Sequence, residues 1–488
     1  MYLKIKFSLK IHLSHFLPQK SQNLLLVLGL NSKCEPMLET LSTSLLVLLI
    51  ISVVLVLFFE FINGFHDTAN AVATVIYTKT LPPRTAVVLS GVLNFAGVFF
   101  GGIGVAIGII NLLPTDALLQ DDVWLGMAMV LAMLCSAIVW NFGTWYLGIP
   151  SSSSHTLIGA ILGVGIAYSG IGGVNWSKAS EVGLSLLLSP LIGLSLAAIL
   201  MTLLRKSVKN KKIFEAPDGD TPPPAWIRAI LILTCSGVSF SHGSNDGQKG
   251  VGLLMLVLIG ILPAHYALNP DGSVQDYQKA FATFEEKIEI IARDYPKATF
   301  EPIAEERKKL NTLLTKEKLE LAERKEIRKS IIKIEKKLKE SYKKEPTLEK
   351  KVKPALASFK KETTDFAPTW VIVAIALSLG IGTMVGWRRI VVTIGEKIGK
   401  QHLTYAQGAS AELIATMTIG FSSFIYSLPV STTHILSSGV AGTMIATNGV
   451  KNLQPATVRS IALAWLLTLP VSIGLSMIFF NIFRFVLT

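Results

Sequence analysis

Three cysteines in 488 residues leave no material for a disulfide framework or a thiolate metal site. Cys34, Cys135 and Cys235 lie far apart, two of them in apolar stretches. Charge is scarce as well, at 16 % of residues, and acids are outnumbered 33 to 46 by bases. Half of the chain is hydrophobic, which excludes an ordinary soluble globule of this length. Several apolar runs instead reach the roughly 20 residues that a transmembrane helix needs. They place spanning segments near 44–78, 84–110, 123–147, 150–170, 181–204, 226–264, 369–386, 404–426, 428–447 and 456–484. The first and the sixth are long enough to be broken.

The charge that is present is unevenly spread. Residues 265–365 hold 24 Lys and Arg and 19 Asp and Glu, more than half of all charges in a fifth of the chain. The other bases gather in short loops: Lys79 and Arg84; Arg205, Lys206, Lys209, Lys211 and Lys212; Arg388, Arg389, Lys397 and Lys400. Short basic loops face the cytoplasm. Counting ten spans puts all three groups on that side and both chain ends outside. The net charge of +13 is therefore a topology signal, not the footprint of nucleic-acid binding. Residues 1–36 carry an apolar run too short to span and no small-residue cleavage site. They are read as an N-terminal extension of doubtful status, with Met37 as able as Met1 to be the start.

Two motifs recur. Pro150–Thr156, PSSSSHT, returns as PVSTTHI at Pro429–Ile435, and Gly64–Val72, GFHDTANAV, is echoed by GSNDGQKGV at Gly243–Val251. Asp67 and Pro150 are 83 positions apart, Asp246 and Pro429 183. The excess matches the charged segment, so removing 265–365 aligns two halves in order and spacing. Five spans per half is odd, and the second half must then cross in the opposite sense. The fold expected is an all-α polytopic membrane protein, an inverted repeat of about 5+5 spans with interrupted helices or hairpins. Its parts are 37–204, a basic linker 205–225, 226–264, the charged helical insertion 265–365, and 366–488. Within the insertion, Leu310, Leu314, Leu321, Ile327, Ile331, Ile334 and Leu338 mostly fit one helical stripe. That pattern reads as a solvated helical hairpin.

The duplicated polar residues are costly in hydrocarbon, where each unpaired hydroxyl costs several kcal/mol. A helix that starts inside the membrane offers unpaired N–H groups and a positive dipole end. Pro150 and Pro429 suit such a first turn. Ser151, Ser152, Ser153 and Ser154, with Ser431, Thr432 and Thr433, would complete two neutral cradles for a tetrahedral oxyanion. A lone Ser or Thr in a membrane helix usually bonds back to a carbonyl; two duplicated clusters favour a site.

Asp67 and Asp246, carboxylates within spans, mark an ion or proton path. Asn70, Asn245 and Gln248 can join the same shell. Lys249 can instead pair with an aspartate and neutralise it. His66 and His242 flank the aspartates, as proton shuttles or simply held by carbonyls. His155 and His434 follow the serines, with packing and direct roles both open. Glu60 and Glu412 also lie in or near apolar segments, without a twin in the other half. A Ser-His-Asp hydrolase fits poorly, because Ser154 and His155 are adjacent and adjacent helical residues do not face each other.

The segments EFINGFHDTANAVATVIYTKTL, WNFGTWYLGIPSSSSHTLIGAI, FSHGSNDGQKGVGLLMLVLIG, GIGTMVGWRRIVVTIGEKIGK and LPVSTTHILSSGVAGTM resemble the signatures of the inorganic phosphate transporter (Pit) family. The bacterial low-affinity permeases are the nearest type. The resemblance covers about 37–264 and 366–488. It implies a symporter of the inner membrane, not an enzyme, that carries inorganic phosphate with protons as a homodimer in the lipid bilayer. The resemblance also allows the phosphate to travel as a neutral complex with a divalent metal, and implies no resident cofactor. Hairpin tips at Ser152–Ser154 and Ser431–Thr433 would meet phosphate; Asp67, Asn70, Asn245 and Asp246 would hold the coupling cation. Other branches couple to sodium or move sulfate. Hydrogen phosphate can donate a hydrogen bond to Asp67 or Asp246 where sulfate cannot, which favours phosphate.

Overall fold

The computed structural model describes residues 42–113, 122–174, 176–219, 221–295, 300–342, 345–393 and 397–488. The extension over 1–36 lies outside them. In the first half run α1 (Thr43–Tyr77), α2 (Pro83–Phe100), α3 (Gly104–Ile110), α4 (Val123–Tyr146), α5 (Ser153–Ser169) and α6 (Trp176–Ser207). Then come α7 (Ala225–His242), a π-turn over Gly243–Gly247 and α8 (Gln248–Ile261). The charged insertion forms α9 (Val274–Asp294), α10 (Ala304–Leu314), α11 (Leu321–Tyr342) and α12 (Pro346–Thr363). The chain closes with α13 (Thr369–Met384), α14 (Arg388–Val392), α15 (Tyr405–Phe421) with a π-turn to Tyr426, α16 (Thr432–Asn448) and α17 (Pro455–Leu487). Among the described residues no strand forms; Gly399 and Leu453 share one isolated bridge.

Seven helices among the described residues are long and apolar enough to cross a bilayer. That departs from the ten spans read from the sequence. The expected span 84–110 is broken between α2 and α3, where Gly102 takes a φ of +76°. Segment 369–386 yields α13, 16 residues, and segments 150–170 and 428–447 yield only α5 and α16, 17 residues each. At 1.5 Å per residue each covers about 25 Å, short of the hydrocarbon core. Helices α5 and α16 begin in the protein interior on buried serines and threonines. Counting crossings therefore cannot set the topology, but packing groups the basic loops. Leu81, Ile213, Ile390 and Ile398 share one core cluster, with Tyr77, Phe214 and Trp387 packed against it. The three basic loops thus pack against one shared core cluster.

Matching local chemistry shapes α5 and α16. The Ser152 hydroxyl caps α5 by accepting from His155 N, and Ser431 caps α16 by accepting from His434 N. Gly170 and Gly449 end the two helices with φ of 70° and 74°, each followed by a three-residue 3₁₀ turn. Packing is exchanged between the halves: α17 lies on α4 and α5, while α6 lies on α15 and α16. The cradle-forming tips are thereby buried under helices from the other half.

Helices α2 and α7 cross on two glycines. A Cβ at Gly97 would lie 2.2 Å from the Phe240 carbonyl oxygen, and one at Gly243 2.2 Å from that of Asn94. This approach delivers Asn94 to His242. Gly97→Ala is expected to force the helices apart at a cost of about 1–3 kcal/mol. The detergent-solubilised protein would then melt at a lower temperature than wild type; an unchanged midpoint would contradict the close approach.

The insertion builds its own core, larger than the hairpin read from the sequence. Phe281, Phe284 and Phe359 pack together with ring centroids 5.4–6.4 Å apart, in one core with buried Leu310, Ile327, Ile331, Ile334 and Leu338. Leu321 is the departure from the stripe: it opens α11 and stays 55 % exposed. Burial alone would raise the Glu335 carboxyl, but the ammonium groups of Lys360 and Lys339 outweigh it and hold it at about 2. Arg328 is buried and donates to the carbonyls of Tyr266 and Ala267, anchoring α11 to the chain just past α8. Burial lowers its pKa to about 10.

Candidate functional site

Asp67 lies on α1, seven residues after Glu60 and so on the same helical face. Asp246 lies in the π-turn between α7 and α8. Such turns inside α-helices often mark functional sites. Both aspartates are fully buried, and α5 and α16 aim their first turns at them. The Ser153 hydroxyl is 3.1 Å from Asp67 Oδ2 and 3.1 Å from Asp246 Oδ2. From the other tip, Thr433 donates to Asp67 Oδ1 at 2.6 Å.

Lys249, which sequence left between pairing and bystander, holds the centre. Its ammonium is 2.8 Å from Asp246 Oδ1. It also donates to the Ser154 hydroxyl on one tip and the Val430 carbonyl beside the other. The cradle inferred as neutral therefore contains a cation.

The imidazoles close the cluster. His66 Nδ1 is 3.4 Å from Asp67 Oδ1. His242 Nε2 is 3.6 Å from Asp67 Oδ2 and 3.7 Å from Asp246 Oδ2, with its Nδ1 on Asn94 at 2.7 Å. Asp67, His242 and Asp246 can each aim one ligand atom at a common point, all within 4.8 Å of one another.

Other expected residues stand further back. Asn245 ties the second tip, donating to Ser423 and the Leu428 carbonyl and accepting from Val430 N. Gln248 spans the α2–α3 break through Gly101 O and Val105 N. Ser151 pairs with Thr144 at 2.9 Å. Ser152 and Ser431 are caps, and Ser152 also meets His155 Nδ1 at 2.8 Å. Thr432 is buried in the first turn of α16. The rings of His155 and His434 stack at 4.6 Å, with Trp465 4.0 Å beyond His434. The Asn70 side chain lies outside the described residues. Glu412 accepts from Thr74 and Thr234, joining α15 to α1 and α7.

Three contributors went unseen in the sequence: Asn94 behind His242, Thr144 near His66 Nε2 at 3.4 Å, and Ser423 beneath Asn245. Asn94 and Thr144 stand in apolar helices and Ser423 is one of two adjacent serines in a π-turn, weak signals that gain meaning only from their partners.

The class is that of polytopic helical membrane proteins with a polar site enclosed among their spans. The model of the phosphate transporter family, PHO4, matches residues 63–476. The low-affinity inorganic phosphate transporter PitB of Escherichia coli K12 is 42 % identical over 481 residues, covering 88 % of this chain and 95 % of that protein. A low-affinity inorganic phosphate transporter of Buchnera aphidicola (subsp. Acyrthosiphon pisum) is 43 % identical, covering 89 % and 96 %. A solved structure described as the sodium-dependent phosphate transporter aligns with TM-score 0.59 at 19 % identity, over 90 % of this chain and 100 % of that one. That likeness concerns the fold. The chain belongs to the phosphate transporter family, a family of integral inner-membrane transporters rather than enzymes.

Proposed function

We propose that this protein imports inorganic phosphate by secondary active symport with protons. The observation that carries the reading is the bridge from Ser153 to both aspartates. A hydroxyl has one proton and donates to one carboxylate at a time; a proton taken up by the other carboxyl would complete the second contact. Two carboxyl groups sharing one hydroxyl with a nearby imidazole make a proton-loading site.

Phosphate adds the second half of the mechanism. It enters between the first turns of α5 and α16, where N–H groups and the hydroxyls of Ser153, Ser154 and Thr433 replace its water. Its negative charge draws the Lys249 ammonium away from Asp246. Asp246 then becomes a buried unpaired carboxylate, which costs several kcal/mol unless a proton neutralises it. Anion and proton are thereby obliged to move together. The two halves, read as inverted repeats, supply alternating access around this site.

A neutral divalent metal phosphate is a second form of the cargo. The donor set of Asp67, His242 and Asp246 favours it, because two carboxylates and an imidazole suit a divalent ion.

The test is uptake of labelled phosphate into liposomes holding the purified protein. Accumulation driven by an inward proton gradient, without sodium and indifferent to excess sulfate, is expected. A strict requirement for sodium, or equal competition by sulfate, would overturn coupling or substrate respectively.

A further inference from the structure

Glu60 is the buried acid that this mechanism leaves unused. It is fully shielded in the span α1, and among the described residues its Oε1 has no hydrogen-bond partner. Its Oε2 receives only a long contact from Asn63 Nδ2 at 3.4 Å. A bare oxygen in that setting is costly for an ionised carboxyl, and a proton is the partner it lacks.

Its neighbours place it on the coupling path. Along α7, the π-turn and α8, residues His242, Asp246 and Gly250 follow at four-residue intervals and face α1. His242 meets Asp67, and Gly250 meets Glu60 two turns away. A Cβ at Gly250 would lie 2.4 Å from the Glu60 carboxyl carbon, so the absent side chain makes the seat for this carboxyl. The charged groups around it are Lys249 and Asp246 on the facing segment and Asp67 on its own helix.

We infer that Glu60 is a proton-carrying carboxyl of the transport cycle, alternately binding a proton from the outer solution and releasing it inward as Asp67 and Asp246 exchange theirs. This rests on the proton-coupled reading above. The balance is simple: one O–H bond is broken and remade, and no electron changes hands.

The experiment is paired assays on liposomes containing wild type or Glu60→Gln. One measures accumulation under an inward proton gradient, the other phosphate–phosphate exchange with no gradient. Glu60→Gln keeps the shape and cannot titrate. Gradient-driven accumulation is expected to fall at least about tenfold while exchange stays within about twofold, the signature of lost coupling rather than lost binding. Retained accumulation in Glu60→Gln, with wild type responding to the gradient, overturns the role of Glu60 and leaves proton coupling standing. A wild type that ignores the proton gradient removes proton coupling itself. Should Glu60→Gln be inactive in both assays, Glu60→Asp decides, since it keeps a titrating group. Driven uptake by Glu60→Asp supports the inference, and exchange without driven uptake overturns it.

Discussion

Asp67→Asn is expected to abolish gradient-driven phosphate uptake, by about a hundredfold or more, while reaching the membrane at wild-type abundance. Among the described residues Asp67 is the one carboxylate touched by both hairpin tips: Ser153 on α5 and Thr433 on α16 converge on its two oxygens. Asparagine keeps the volume and one acceptor oxygen, so Thr433 can still donate. The new amide can donate to the Ser153 oxygen in return, since a hydroxyl accepts as well as donates. Packing is therefore conserved, and what disappears is the charge and the capacity to bind a proton. His66 and His242 lose the anion that sits 3.4 and 3.6 Å from them. Membrane abundance and size-exclusion behaviour measure the fold; uptake under a proton gradient measures coupling. Wild-type uptake by this variant would remove Asp67 from the mechanism.

How much of this was legible beforehand depended on whether the signal was local. The apolar runs, the basic loops and the twin clusters at Ser151–Ser154 and Ser431–Thr433 are patterns within single segments, and composition alone exposes them. The termination of α5 and α16 inside the protein was harder, because hydropathy does not distinguish a 17-residue buried helix from a span. The break at Gly101–Ile103 hides likewise within one apolar run. The partner of Lys249 was undecidable from spacing: an i,i+3 ion pair with Asp246 is natural on a helix, yet the ammonium also reaches Ser154 and Val430, distant in the chain. Leu321 matched the hydrophobic stripe of the insertion but falls on the first turn of α11, where no neighbouring helix covers it. Asn94 and Thr144 show the same limit from the other side, since tertiary partners alone distinguish them from incidental polar residues.

Lys249 supplies the second large effect, and the double variant makes it diagnostic. Lys249→Gln removes the ammonium 2.8 Å from Asp246 and leaves a buried carboxylate without its cation, a loss of about 3–5 kcal/mol for pairs broken on one side. Asp246→Asn strands the ammonium instead, at a comparable cost. Both single variants are expected to melt well below wild type in detergent and to transport no phosphate. Removing both charges together leaves two neutral amides that can bond to each other and to Ser154. The Lys249→Gln/Asp246→Asn protein should therefore regain most of the lost stability, with a coupling energy of about 2 kcal/mol or more between the sites. Uptake should not return with stability. In the mechanism above the lysine passes from aspartate to phosphate and the aspartate takes up the proton, and neither amide can do either. A Lys249→Gln protein as stable as wild type would show that the ion pair is not a structural element of the site. A double variant that transports would show that the charge exchange is not the coupling step.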